Sequence, residues 1–289
     1  MRILCLHGAG TSAEIFKSQT SALRWKLDET EYKFDFLDAP HPWKPGPGVG
    51  PFFDGPYYSW WTDWNENGVK AAVDELLKYL KAQDEPYDAL MGFSQGCHLI
   101  AMAIMWHQKD FPGEPLPFKG AIFLCGGVPL YVLEKWIHVP EETKRIIRES
   151  GDALTNVRAQ TPLKVEKMLQ TGERSSLWDM PTALWDGKDE KIGPTWDTPS
   201  FTKTNVFGLD VSNLPQHVQI DIPTFHVYGH KDPMCTASLI LSNLCREDRR
   251  QVYDHGGGHD IPRPSWVSED LAGGIRRVKE RIAEGKGLR

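Results

Sequence analysis

A chain of 289 residues with 33 basic and 39 acidic side chains, a net charge of −6, can bury a full core as one large α/β domain or two small ones, and without a Lys/Arg cluster it does not read as a nucleic-acid binder. No apolar run could span a bilayer, and Met1-Arg2 leads straight into Ile3-Leu4-Cys5-Leu6 with no signal-peptide pattern, so neither membrane nor export is expected. Five scattered cysteines (5, 97, 125, 235, 245), without C-x-x-C or H-E-x-x-H, suit reduced core thiols in a cytoplasmic protein that needs no metal and no cofactor.

Residues 2–6 form the first strand, which ends in His7-Gly8-Ala9-Gly10-Thr11. Two readings of this loop compete. Gly8-x-Gly10-x-x-Ala13 is a loose dinucleotide fingerprint, whose acidic partner, expected about 20 residues on, would be Asp35 or Asp38. Alternatively, His-Gly-x-Gly is the loop that lends an oxyanion N–H in serine hydrolases. A second strand, 32–37, closes at Asp38-Ala39-Pro40, and 41–64, dense in Pro, Gly and aromatics, is a long ordered loop. Its Phe52, Phe53, Tyr57, Tyr58, Trp60 and Trp61 either line an apolar acyl pocket or pin the loop to the body. Apolar positions 69, 72, 73, 76, 77 and 80 then mark an amphipathic helix that completes a β-α-β unit with the next strand.

That strand, Tyr87-Asp88-Ala89-Leu90-Met91, runs into Gly92-Phe93-Ser94-Gln95-Gly96, and the apolar stretch 98–106 beyond it suits a buried helix. The pattern is a nucleophile elbow. A serine on so tight a strand-to-helix turn has its Oγ raised above the sheet beside free helix N–H groups, and glycines two before and two after it avoid collision. Ser94 therefore decides the first loop in favour of the oxyanion reading. A further buried strand, 118–125, precedes nearly a hundred residues in which strand and helix cease to alternate. Segments 140–149 and 162–170 look helical, 175–215 is irregular, and 129–221 reads as an insertion at the sheet's C-terminal edge, where a lid sits. Strand 224–228 ends in Gly229-His230-Lys231-Asp232-Pro233, strand 251–253 ends in Asp254-His255-Gly256-Gly257-Gly258-His259-Asp260, and a closing helix spans about 268–283.

A serine hydroxyl needs a base to take its proton, and the base needs a carboxylate to fix its tautomer. Asp232 and His259 follow Ser94 in the order the elbow fold requires, each on a loop after a strand. Asp186 and Asp189 are weaker candidates for the acid because no β-like run precedes them. His255 competes with His259, which has three glycines before it to carry the loop over the site. The oxyanion donors expected are the backbone N–H groups of Ala9 and Gln95. His7 is read as a structural residue fixing its loop.

Leu4-Cys5-Leu6-His7-Gly8, Phe36-Leu37-Asp38-Ala39-Pro40, Pro86-Tyr87-Asp88 before the elbow, Tyr228-Gly229-x-x-Asp232 and His255-x-Gly257-Gly258-His259-x-x-Pro262 together resemble the FSH family of serine hydrolases. The resemblance covers roughly 1–128 and 222–285. It implies an α/β-hydrolase fold, a mostly parallel six-stranded sheet flanked by helices, with a core of 1–128 plus 222–289 and a lid-like insertion over 129–221, longer than in compact family members. It further implies Ser94, Asp232 and His259 as triad and activity on carboxylic esters or thioesters. The aromatic stretch from Phe52-Phe53 to Trp60-Trp61 and the long middle look most like the fungal biosynthetic branch, whose role is release of an acyl chain from a polyketide synthase carrier; that implies transient contact with an acyl carrier protein or the synthase. The sequence is thus read as a thioesterase. A general carboxylesterase acting on small esters, and a non-catalytic binding module on a hydrolase scaffold, stay open beside it.

Overall fold

The computed structural model describes residues 1–46, 49–154, 156 and 202–285. Six strands form one parallel sheet: β1 (Arg2–Leu6), β2 (Lys33–Leu37), β5 (Ala89–Phe93), β6 (Gly120–Leu124), β9 (Thr224–Tyr228) and β10 (Arg250–Asp254), in the spatial order β10-β9-β6-β5-β1-β2. Two antiparallel ladders lie apart from it, β3 (His41–Pro42) with β4 (Tyr58–Ser59) and β7 (Asn205–Val206) with β8 (Leu209–Asp210). The central strands β5, β6 and β9 are buried along their whole length. That is why they read as continuous apolar runs rather than alternating ones. The chain starts in β1, adds β2 on one side and then crosses to β5 on the other. A crevice therefore opens at the C-terminal ends of β1 and β5, the place where open α/β sheets bind ligands.

Helices cover both faces. On one, Glu66–Lys81 buries Val69, Val73, Leu76, Leu77 and Leu80, and its first turn is capped by Asn65, whose side chain accepts from Gly68 N–H at 3.0 Å. Beside it Gln95–Asp110 is buried on nearly every side, as is Cys235–Asn243. Ala13–Gln19 and the closing helix Ser265–Glu284 cover the other face. Ala13–Gln19 and Cys235–Asn243 are not anticipated from the sequence. The first is only seven residues long, and the second is apolar all round and shows no amphipathic period. The elbow strand lies two residues later than 87–91. In register, Ile3 pairs with Ala89, while Asp88 sits before the strand and accepts the Arg2 N–H on its side chain.

At the described ends of 129–221, a short helix (Leu130–Leu133) and the β7–β8 hairpin contribute Val132, Leu133, Val206, Phe207 and Leu209 to the main core, and a helix over 141–154 packs Ile146 and Ile147 against it. The expected helix 162–170, most of the irregular 175–215, and Asp186 and Asp189 lie outside the described residues. Among the described residues no helix is long and apolar enough to cross a membrane, and all five cysteines are buried and free.

Candidate active site

Ser94 stands between β5 and its helix at φ 50°, ψ −112°, a conformation rare for any residue with a side chain. Its surroundings allow it. A Cβ on Gly92 would lie 2.6 Å from the Gly96 carbonyl carbon, and one on Gly96 would be driven into the Leu6 carbonyl. The turn is closed by Ser94 N–H donating to Leu124 O at 3.0 Å.

The acid and histidine loops leave the ends of β9 and β10, two parallel neighbours. They press against each other: Lys231 N–H donates to Gly257 O at 3.0 Å, and Gly229 has no room for a Cβ because the Gly257 carbonyl occupies it. Asp254 braces both, accepting from the N–H groups of His230 at 3.1 Å and Gly256 at 2.8 Å. Asp232, fully buried, accepts from Met234 N–H through Oδ1 at 2.7 Å and faces His259 Nδ1 through Oδ2 at 2.8 Å. His259 Nε2 lies 3.0 Å from Ser94 Oγ. With Nδ1–H donating to the carboxylate, Nε2 is left as acceptor for the serine proton, the tautomer a general base requires.

His255 is placed otherwise. Its Nδ1 accepts from Gly257 N–H at 3.2 Å, its Nε2 lies 3.6 Å from Cys125 Sγ, and burial lowers its pKa to about 4. It shapes the loop that carries His259.

The oxyanion loop is fixed by the chain just after β2 and by the aromatic loop. His7 Nε2 accepts from Ala39 N–H at 3.0 Å, so its Nδ1 carries the proton and donates to Gly8 O at 2.8 Å. Burial lowers its pKa and keeps it neutral in that role. Gly10 N–H donates to Tyr58 O and Tyr58 N–H to Thr11 O, both at 2.8 Å. Asp35 is paired with Arg2 at 2.8 Å and Asp38 accepts from Ala13 N–H at 2.7 Å, so both acidic residues of the dinucleotide reading are engaged elsewhere. The N–H of Ala9 has no hydrogen-bond partner among the described residues.

The aromatic loop divides. Trp60 and Trp61 are buried and join the core, and Trp60 Nε1–H donates to His7 O at 2.7 Å. Phe53 and Tyr57 are half-buried, with the Tyr57 hydroxyl donating to Phe53 O, while Phe52 is exposed. The sequence reading used only the backbone of Gln95 and missed its side chain. Oε1 accepts from Trp60 N–H at 3.0 Å and Nε2 donates to Ser59 Oγ at 3.0 Å, tying the loop to the residue after the nucleophile. The available signal was a lone amide ahead of an otherwise apolar helix.

Residues 1–270 match the family described as serine hydrolase (FSH1). Esterase FPY3 of Fusarium mangiferae is 29% identical over 99% of this chain and 100% of its own length. Hydrolase phiM, from a fungal species, is 34% identical over 99% of this chain and 98% of its own. Among solved structures, SOBER1 of Arabidopsis thaliana matches over 96% of this chain and 99% of its own at 16% identity and a TM-score of 0.47.

Proposed function

The chain belongs to the FSH1 family of serine hydrolases, and on that premise we propose that it cleaves a carboxylic thioester, releasing an acyl chain from a carrier, with Ser94 as nucleophile, His259 as base and Asp232 as its orienting acid. The observation that carries the acyl-enzyme chemistry of this reading is the unbroken relay from Ser94 Oγ through both nitrogens of His259 to the buried Asp232, and the choice of a thioester rests on the resemblance to the fungal biosynthetic branch. The Oγ–H proton passes to Nε2 as Oγ bonds to the carbonyl carbon. Collapse of the tetrahedral species breaks the bond to sulfur, and His259 returns the proton to the departing thiolate. Water, deprotonated by the same imidazole, then frees the acid and restores Ser94. The developing oxyanion is assigned to the N–H groups of Ala9 and Gln95, the latter at the N-terminal end of the elbow helix. Segment 129–221 is read as the part that chooses the acyl chain, with Phe52, Phe53, Tyr57, Trp60 and Trp61 forming or supporting its pocket.

A second reading, hydrolysis of oxygen esters without a carrier, is favoured by the names of the relatives, several of which are called esterases. Both use the same acyl-enzyme and differ in leaving group. A ladder of acyl thioesters and the matching p-nitrophenyl esters separates them. A higher kcat/KM for thioesters across the ladder supports the carrier reading, and turnover of oxygen esters alone would refute it.

A further inference from the structure

Three enclosed polar atoms beside the elbow take no part in the relay. The indole Nε1 of Trp61, the Nδ1 of His98 and the hydroxyl of Tyr131 have no hydrogen-bond partner among the described residues. They come from three elements: the aromatic loop, the first turn of the elbow helix, and the short helix Leu130–Leu133. The Trp61 and His98 rings stack with centroids 6.5 Å apart and planes at 22°. Burial raises the Tyr131 hydroxyl to about 12 and keeps it protonated, and the indole N–H of Trp61 lies close enough to offset a small part of that rise without meeting hydrogen-bond geometry.

The cluster adjoins the nucleophile. His98 N–H donates to Ser94 O at 3.4 Å, and its ring lies close enough to His259 for protonation of the two rings to oppose each other. The loop that leads to Tyr131 touches the same turn, since a Cβ on Gly126 would lie 2.6 Å from Ser94 O. Trp61 is 1% exposed, and a donor buried that deeply without an acceptor is unfavourable unless something else supplies one.

The chemistry of the three groups narrows the occupant. An indole N–H only donates, so the occupant must offer an acceptor. A tyrosine hydroxyl both donates and accepts, so it meets either a keto oxygen or a hydroxyl. Burial keeps His98 neutral down to about pH 4, leaving the cluster without charge at neutral pH, and a carboxylate there would go unbalanced.

We propose that Trp61, His98 and Tyr131 form a subsite for a neutral oxygen, a hydroxyl or keto group, carried on the acyl chain attached to Ser94. The inference rests on the reading of Ser94 as the acylated residue. It would make the enzyme selective for oxygenated over plain chains.

The test uses acyl thioesters of one chain length with a hydroxyl or keto group at successive carbons, together with the unsubstituted parent. At one position the wild-type enzyme is expected to favour the oxygenated chain by about tenfold or more in kcat/KM. In Tyr131→Phe and in His98→Leu that ratio should fall towards one. Tyr131→Phe removes a single oxygen and is the variant least able to disturb folding, and fluorophosphonate labelling of Ser94 reports an intact nucleophile in each protein. A wild-type ratio near one at every position, or a preference that both variants keep, overturns the subsite while leaving the hydrolase reading intact. Failure of wild-type Ser94 to take the label would instead remove the hydrolase reading, and the subsite with it.

Discussion

The nucleophile elbow and the aromatic loop packed on it touch through Gln95, yet they are held in opposite ways. The elbow is a backbone device: a serine at φ 50°, two glycines whose missing Cβ atoms let strand and helix close, and one hydrogen bond to the neighbouring strand. The loop 41–64 is held by partners far away in the chain. Tyr58 pairs with the backbone of Gly10 and Thr11, Trp60 reaches His7 O, and the Gln95 amide takes Ser59 and Trp60. Local steric demands leave a compact motif, whereas long-range hydrogen bonds leave none.

The sharpest way to break this comparison is at the nucleophile itself. Ser94→Ala should lower kcat/KM by roughly 10⁴- to 10⁶-fold while thermal unfolding stays close to wild type, because the side chain contributes chemistry and the backbone supplies the turn. Asp232→Asn should lose roughly 10⁴-fold, as an amide leaves His259 in the wrong tautomer; steady-state kinetics on one ester checks both. A melting point that fell as far as the activity would show these residues to be structural.

Gly96→Ala tests the steric half directly. Its methyl would meet the Leu6 carbonyl, so a loss of about 3 kcal/mol in urea unfolding is expected, and an unchanged midpoint would contradict it. Gln95→Leu tests the loop half. Trp60 N–H would lose its acceptor and the Ser59 hydroxyl one of its two partners, which should cost about 1–3 kcal/mol and raise protease sensitivity within 41–64, with the elbow still formed.

The last effect is set by pH and is spread over several groups. His226 and His255 are buried with pKa values lowered to about 3 and about 4, and His7 is lowered as well. In the unfolded chain each would take a proton near pH 6.5. Stability is therefore full above that value and lost as pH falls toward the folded values, by about 1.4 kcal/mol per pH unit for each histidine kept neutral. Urea midpoints between pH 7 and pH 4.5 would check the slope, and a flat profile would show that these imidazoles protonate in place.

What was legible in the sequence follows the same division. Strands β5, β6 and β9 stood out because parallel strands buried on both faces are continuous apolar runs. Ser94, Asp232 and His259 stood out because each closes a strand in an order the chain direction dictates, and the structure brings the three into hydrogen-bonding contact. The side-chain role of Gln95 and the cluster of His98, Trp61 and Tyr131 did not stand out. Their meaning depends on contacts across 35 to 70 positions of chain, and no local spacing encodes those. Helix Cys235–Asn243 was missed for a related reason: buried on all sides, it shows no period.

The most direct test of the account is the position of covalent modification. The folded protein is treated with a fluorophosphonate probe, digested, and the adduct located by mass spectrometry in the wild type and in His259→Ala. A single stoichiometric adduct on Ser94 is expected, forming far more slowly once His259 is removed. An adduct on another residue, or none on folded protein, would contradict it.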